Sequence, residues 1–294
     1  MLISNGGAVY SSTENDERGG SLTVSAQGNL QIDSGSQVTS QNAGDVNISA
    51  GGNILLSNSG LIKSASIKGN SSIVNVQSQG NIQVDTKSYI ASFDAGDVII
   101  GSGRDVIVNG GEIKSASIDK NEGNAGNVLV HANGDVFING YVEKDSNGKP
   151  TAIGGYISSL VTQSGKGNSG NIDLSAGGKL TITNEGGSIS TSTQNEGSIA
   201  GNVRVNVQGD ILITQDANIS SNAYYSVAAS DTNTTDKPTS DQVESGKNGG
   251  INITSGGKLT LSDKGIIVSA TAGNIHAGDV VVDVKGNVTL SNAA

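Results

Sequence analysis

No cysteine and no tryptophan occurs in the chain, and the only prolines are Pro150 and Pro238. Without cysteine there is no disulfide framework and no thiolate metal site. Such a chain suits an exported protein that stays unlocked while it crosses a membrane, although many cytosolic proteins lack Cys as well. Proline removes a donor from a strand ladder, so its scarcity permits long uninterrupted pairing. Aromatic residues make up 3% of the chain, six Tyr and two Phe, so the core has to be aliphatic. Lys and Arg number 17 against 27 Asp and Glu, and the net charge is −10. The basic residues are scattered, which leaves no basic stripe for nucleic acid and none for an anionic membrane. No apolar run approaches the roughly 18 residues that insert across a bilayer. Met1 leads into Leu2, Ile3 and Ser4 with no basic segment and no signal-peptide core.

Glycine is abundant, at 43 residues, together with Ser, Thr and Asn. That mixture often signals disorder. Here a repeated phrase argues otherwise: a small residue and Gly, apolar-x-apolar, a Gly turn, then apolar-x-apolar again. Residues 43–56 read AGDVNISAGGNILL, 200–213 read AGNVRVNVQGDILI and 277–290 read AGDVVVDVKGNVTL. The central glycines are Gly28, Gly52, Gly80, Gly134, Gly178, Gly209, Gly257 and Gly286, with Arg104 in their place once. Self-similarity at this period marks a stack of coils in which each coil needs only its neighbours. The chain therefore reads as one solenoid over 1–294, and as a fragment, because it opens and closes part-way through the phrase.

Alignment on the central glycine sorts the aliphatic residues into columns. A first strand supplies pairs such as Val46/Ile48, Val98/Ile100 and Val280/Val282. A second supplies Ile54/Leu56, Val106/Val108 and Val288/Leu290. A shorter third supplies Val38, Ile62, Ile90, Ile113, Ile157, Ile189, Ile219 and Ile267. Alternation at period two places these on one side of each strand and Ser, Asn, Thr and Gln on the other. Three short strands per coil predict an all-β, right-handed parallel β-helix, triangular in section. About nine coils at roughly 4.8 Å give a rod about 40 Å long.

The corner glycine allows either a positive φ or a close approach of backbones. The residue after it runs Asn29, Asn53, Asn81, Asp105, Asp135, Lys179, Asp210, Lys258, Asn287. The alternating signs of Asp135, Lys179, Asp210 and Lys258 predict a charge ladder between coils; Asp105 beside Asp135 runs against it. Two excursions break the period. Residues 139–152 hold Asn147-Gly148 between strand-like flanks, a hairpin signal. Residues 221–248 are acidic, rich in Ser and Thr, and carry Tyr224 and Tyr225. Solenoid insertions map to one side of the rod, often the binding side.

The run GGSLTVSAQGNLQIDSGSQVTS at 19–40, with its echoes at 43–64 and 169–191, resembles the repeats of filamentous-haemagglutinin-like exoproteins. These are large bacterial surface adhesins exported by two-partner secretion. The resemblance covers most of the chain outside the two excursions and implies the central shaft of such a protein. It brings no catalytic residues, and the secretion domain that defines the family is not recognisable here.

Chemistry is sparse. Asp33 and Asp85 fall at equivalent positions two coils apart, with Ser57 between, about 10 Å by the strand spacing. That is near the separation of an inverting carboxylate pair, so a pectate-lyase-like, polysaccharide-degrading enzyme is one alternative. Against it, the same slot holds Ser, Thr or Asn elsewhere, which reads as a solvent-facing polar position. His131 and His276 lie five coils apart, about 24 Å, and cannot share a metal. The Gly-Asp corners at Asp97, Asp135, Asp210 and Asp279 invite a calcium reading, but the period is longer than that of calcium-binding nonapeptides and Asn replaces Asp freely. No cofactor is expected. Tyr224 and Tyr225 are the candidate partner-binding residues, because Tyr gives large contact area at low entropic cost. Tyr141 and Tyr156 flank the other excursion as anchors. A phage tail-fibre segment is a further alternative, disfavoured because the polar faces offer no apolar seam for a trimer. The expected role is a non-enzymatic shaft of an extracellular surface adhesin. Its expected partner is a glycan or protein receptor on a host or neighbouring cell, and uncapped end coils predict end-to-end self-association.

Overall fold

The computed structural model describes residues 1–13, 20–41, 44–65, 72–93, 96–118, 123–144, 148, 150–165, 167–195, 198–224, 248–272 and 276–292. Three large parallel sheets run the length of the molecule, of nine, ten and nine strands. The first face is built from strands such as Val46–Ala50, Val98–Ser102 and Val128–Ala132. The second contains Ile54–Leu56, Val106–Asn109 and Val136–Asn139, and the third Leu61–Ala65, Glu112–Ser117 and Tyr156–Val161. Each strand pairs with its equivalents one coil before and after, residue for residue: Ile82, Val106 and Val136 stand in one row. This is a parallel β-helix of about nine coils, with no helix among the described residues.

The register follows from the alternating pattern, since a one-residue slip would turn every aliphatic side chain outward. The columns point inward and form one continuous core from Ile3 to Leu259. Fully burying each Val, Leu or Ile contributes roughly 1.5–3 kcal/mol. The final coil departs from the expectation. Val280 is 45% exposed and Leu290 66%. Their row is the correct one, but among the described residues no further strand lies over them.

A second internal column is made of hydroxyls. Ser40, Ser64, Ser92, Ser115, Ser159, Thr191, Ser221 and Ser269 lie in register on the third face. Ser115 Oγ donates to the Gly96 carbonyl (2.8 Å) of the turn that leads its own coil. It accepts from Gly126 N–H (2.8 Å), which leads the next coil. Ser159 repeats this between Gly126 and Gly170, and Ser269 between Gly249 and Gly278. The hydroxyl thus rivets successive coils where backbone turns would otherwise bury unsatisfied groups.

The polar corners form ladders of another kind. Asn29 Oδ1 accepts from Asn53 N–H (2.8 Å), and Asn53 Oδ1 from Asn81 N–H (2.8 Å). Asp105 accepts from Asp135 N–H (2.8 Å), Asp135 from Lys179 N–H (2.6 Å) and Asp210 from Lys258 N–H (3.0 Å). The charge-ladder expectation is therefore corrected. Asn and Asp recur because the next coil's backbone needs an acceptor, and Asp105 can precede Asp135 because each carboxylate faces a backbone N–H. Lys258 does approach Asp210, at 4.0 Å, but that pair is exposed and exposed pairs contribute little. The corner glycines have no positive φ. They are required by close approach: a Cβ at Gly52, Gly80, Gly134, Gly178 or Gly257 would overlap the Asn or Asp side chain of the coil before. Where Arg104 stands instead, the rung from Asp105 N–H to Asn81 Oδ1 stretches to 3.2 Å.

Candidate ligand-binding face

Outside the core the surface carries much Ser, Thr and Asn; exposed aliphatic residues occur at both ends and along the rod, such as Ile73, Leu129 and Ile266, whereas the aromatic residues concentrate in its middle. Of the six Tyr and two Phe, Tyr89, Phe93, Phe137, Tyr141 and Tyr156 all fall between residues 89 and 156. Here also lies the expected excursion. It is an antiparallel hairpin of Tyr141–Lys144 and Pro150–Gly154, with Gly148 at φ 77° in the turn region. The hairpin begins two residues later than the sequence suggested, because the second-face strand runs on to Asn139. Pro150 opens the return strand, where an edge strand tolerates a missing N–H.

On the second face the outward row Gln83, Ile107, Phe137, Thr181 runs beside the outward row Asp85, Asn109, Asn139, Thr183. Phe137 is 38% exposed. Asn139 Nδ2 donates to Asn109 Oδ1 (2.7 Å), and Asn184 Nδ2 donates to Asn139 Oδ1. Tyr141, 37% exposed, follows on the same segment, so Phe137, Asn139 and Tyr141 are alternate residues. Gly110, at φ 70°, has no side chain to collide with Tyr141 and lets it lie over the preceding coil. Lys87 Nζ meets Glu143 Oε1 at 2.9 Å and ties the hairpin back across the rod. That carboxylate raises the Lys87 pKa by hydrogen bond and charge.

Around the corner, on the third face, Lys114 Nζ sits 5.5 Å from the Tyr89 ring centre and 5.7 Å from that of Phe93. The two rings meet edge to face at 6.2 Å. Lys114 also pairs with Glu112, and both are largely covered. Burial and the neighbouring Glu112 carboxylate push the Tyr156 phenol far above its ordinary range, and Tyr89 upward for the same two reasons. Each charge in this cluster has its partner, and a cation held against two rings is a strong packing element. We read it as the brace that fixes the third face beside the hairpin. Tyr156 thus does anchor this region, whereas Tyr141 is presented outward.

The other sequence candidates are dispersed. Asp33 and Asp85 do share the second face, with one strand between them. Each takes a hydrogen bond from the Gln two residues before it: Gln31 to Asp33 (2.9 Å) and Gln83 to Asp85 (2.8 Å). His131 points outward and bonds Ser175 (2.8 Å) and Asn133 (3.0 Å); His276 lies on a distant coil, where its carbonyl accepts from Asn248 N–H. Asp97, like Asp135 and Asp210, spends its carboxylate on the next coil's backbone, at Asn127 N–H (2.7 Å). Among the described residues no three His, Asp or Glu side chains converge as a metal site. Tyr224 closes the third-face strand Asn218–Tyr224, its backbone paired with Ala272. Its side chain and all of Tyr225 lie outside the described residues, as does most of the 221–248 excursion. The faces are also less uniformly polar than expected, since Ile107 and Phe137 stand in register on the outside.

Sequence reasoning missed Phe137 because it alternates with core positions and looks like one more strand residue. The signal was available: it is the sole aromatic in its outward row.

No protein-family profile matches the chain, and no curated protein matches it. Among solved structures, the crystal structure of a TibA fragment, residues 55–350, hyper-glycosylated by TibC, aligns over 92% of this chain and 99% of its own at 14% identity. Its TM-score is 0.16, so no residue is carried over from it.

Proposed function

We propose that this chain is a structural shaft segment of an extracellular bacterial surface adhesin, which holds a recognition surface away from the cell and performs no chemistry of its own. The observation that carries this reading is the unbroken ladder. Three faces pair residue for residue along the stack, and hydroxyl, carboxamide and carboxylate side chains bond successive coils. Such a repeat stack distributes load over many bonds in parallel, and its stability adds coil by coil. The filamentous-haemagglutinin-like repeat pattern supports the same role. The receptor is a glycan or protein of a host or neighbouring cell. The exposed aliphatic face and open outer strand edges of the last described coil favour end-to-end contact between isolated copies.

The test is display. Cells presenting the chain between a membrane anchor and an inert cap are expected to adhere to a host-cell layer, or to one another, more than cells presenting anchor and cap alone. Equal adhesion, with correctly folded chain on the surface, would refute the adhesin role. Sedimentation of the purified chain checks self-association; a monomer at every concentration removes it.

A further inference from the structure

The geometry points to a binding site for a neutral oligosaccharide on the second face beside the hairpin, made by Phe137, Tyr141, Asn109, Asn139 and Asp85. It rests on the adhesin reading and names the ligand class and the place.

Four observations converge. First, Phe137 and Tyr141 each leave more than a third of their surface to solvent, and among the described residues the other aromatic ring so exposed, Tyr10, stands on a distant coil. An exposed ring presents a flat apolar face, the shape that accepts the C–H face of a sugar ring. Second, these rings flank a straight row of planar polar groups. Asn139 gives one N–H to Asn109 Oδ1 and accepts one from Asn184 Nδ2, which leaves Asn139 a second N–H and a lone pair and leaves Asn109 its own donors. Asp85 adds a carboxylate acceptor in the same row. Hydroxyl-rich ligands need donors and acceptors side by side at fixed spacing, and successive coils supply this at roughly 4.8 Å. Third, the frame is fixed. The row sits on in-register strands, and the braced third face adjoins it; the exposed Lys87–Glu143 pair links the hairpin to an earlier coil and adds little to its rigidity. Sites on such elements lose little freedom on binding. Fourth, other ligand classes fit poorly. The second-face strands are paired on both sides, so an added peptide strand finds no edge on the face that carries Phe137, Asn109, Asn139 and Asp85. Two rings and Ile107 fall short of the roughly 800 Å² per partner that a stable protein interface buries. The net charge of −10 and Asp85 repel anionic polymers, which selects an uncharged sugar.

The experiment uses the full chain on an immobilised array of neutral hexose and N-acetylhexosamine oligosaccharides, with sialylated and sulfated oligosaccharides alongside. A retained neutral sugar is then titrated against the chain and its variants. Phe137→Ala and Tyr141→Ala are each expected to weaken binding at least tenfold while circular dichroism keeps the β-rich spectrum of the parent, since neither side chain belongs to the buried core. Asn139→Asp keeps the size and removes the amide donors, and it should weaken binding severalfold. Tyr10→Ala, an exposed ring elsewhere on the rod, should leave affinity unchanged. Affinity should be insensitive to salt. Retention of a neutral sugar with no loss in the Phe137 and Tyr141 variants would overturn the site. Retention of charged glycans only, or of none, would overturn the ligand class. In each of those cases the display experiment still decides the adhesin role separately.

Discussion

Ser115→Ala is the sharpest perturbation of this fold. The side chain is wholly buried, and its hydroxyl satisfies two backbone groups, the Gly96 carbonyl and the Gly126 N–H. Alanine removes one oxygen atom and leaves both groups facing each other without a partner. A buried group left unsatisfied costs about 1–3 kcal/mol, and carbonyls tolerate it better than N–H groups. The expected loss is therefore about 2–3 kcal/mol. Because a solenoid opens locally, the loss concentrates at the junction between the two coils. Native-state hydrogen exchange at the Gly126 amide reads it directly. At about 1.4 kcal/mol per decade, 2 kcal/mol corresponds to roughly 30-fold faster exchange. Two companions set the scale. Ser115→Thr keeps the hydroxyl, and Thr191 already occupies the column, so protection should largely survive. Ser25→Ala removes an exposed hydroxyl that meets only Ser49 (2.8 Å), and it should stay within about 0.5 kcal/mol. If Ser115→Ala exchanges no faster at Gly126 than Ser25→Ala does, the hydroxyl column is filler and the riveting argument fails.

Two further outcomes follow from the same physics. Gly28 and Gly178 occupy one position of the repeat, yet a Cβ at Gly28 meets nothing while at Gly178 it overlaps Asp135. Gly28→Ala should stabilise by about 0.4–1 kcal/mol through the unfolded chain, and Gly178→Ala should destabilise by about 1–3 kcal/mol; denaturant titration showing equal effects would contradict the close-approach account. Tyr156 carries a folded pKa above its unfolded value of about 10. Its contribution is thus fully present below pH 10 and is lost as pH rises above that. Denaturation midpoints should fall more steeply between pH 9 and 11 for the parent than for Tyr156→Phe, and parallel pH slopes would argue against a buried phenol there.

The strands, their inward columns and the stacking were legible because period-two alternation leaves one way to bury the aliphatic residues, and Gly and Asn mark each corner. The hydroxyl column was written just as plainly, as Ile-x-Ser or Ile-x-Thr in coil after coil, but it looked like ordinary surface polarity. Alternation assigns a side to each residue, yet it does not report that a turn of the next coil will need a partner inside. The corner acidic residues misled for a related reason: charge is visible in a sequence, whereas the backbone N–H that each one meets is not.

By itself, then, the amino-acid order determined a three-faced aliphatic stack, since local alternation and repetition are short-range properties. Which outward residues share a surface was decided only by the closed coils. Phe137, Asn109 and Asp85 belong to three different repeats of unequal length, and hydrogen-bonded register alone sets them side by side. The inserted hairpin then brings Tyr141 across Gly110, a neighbour that no pattern in the chain announces, because that contact depends on how one coil lies over another.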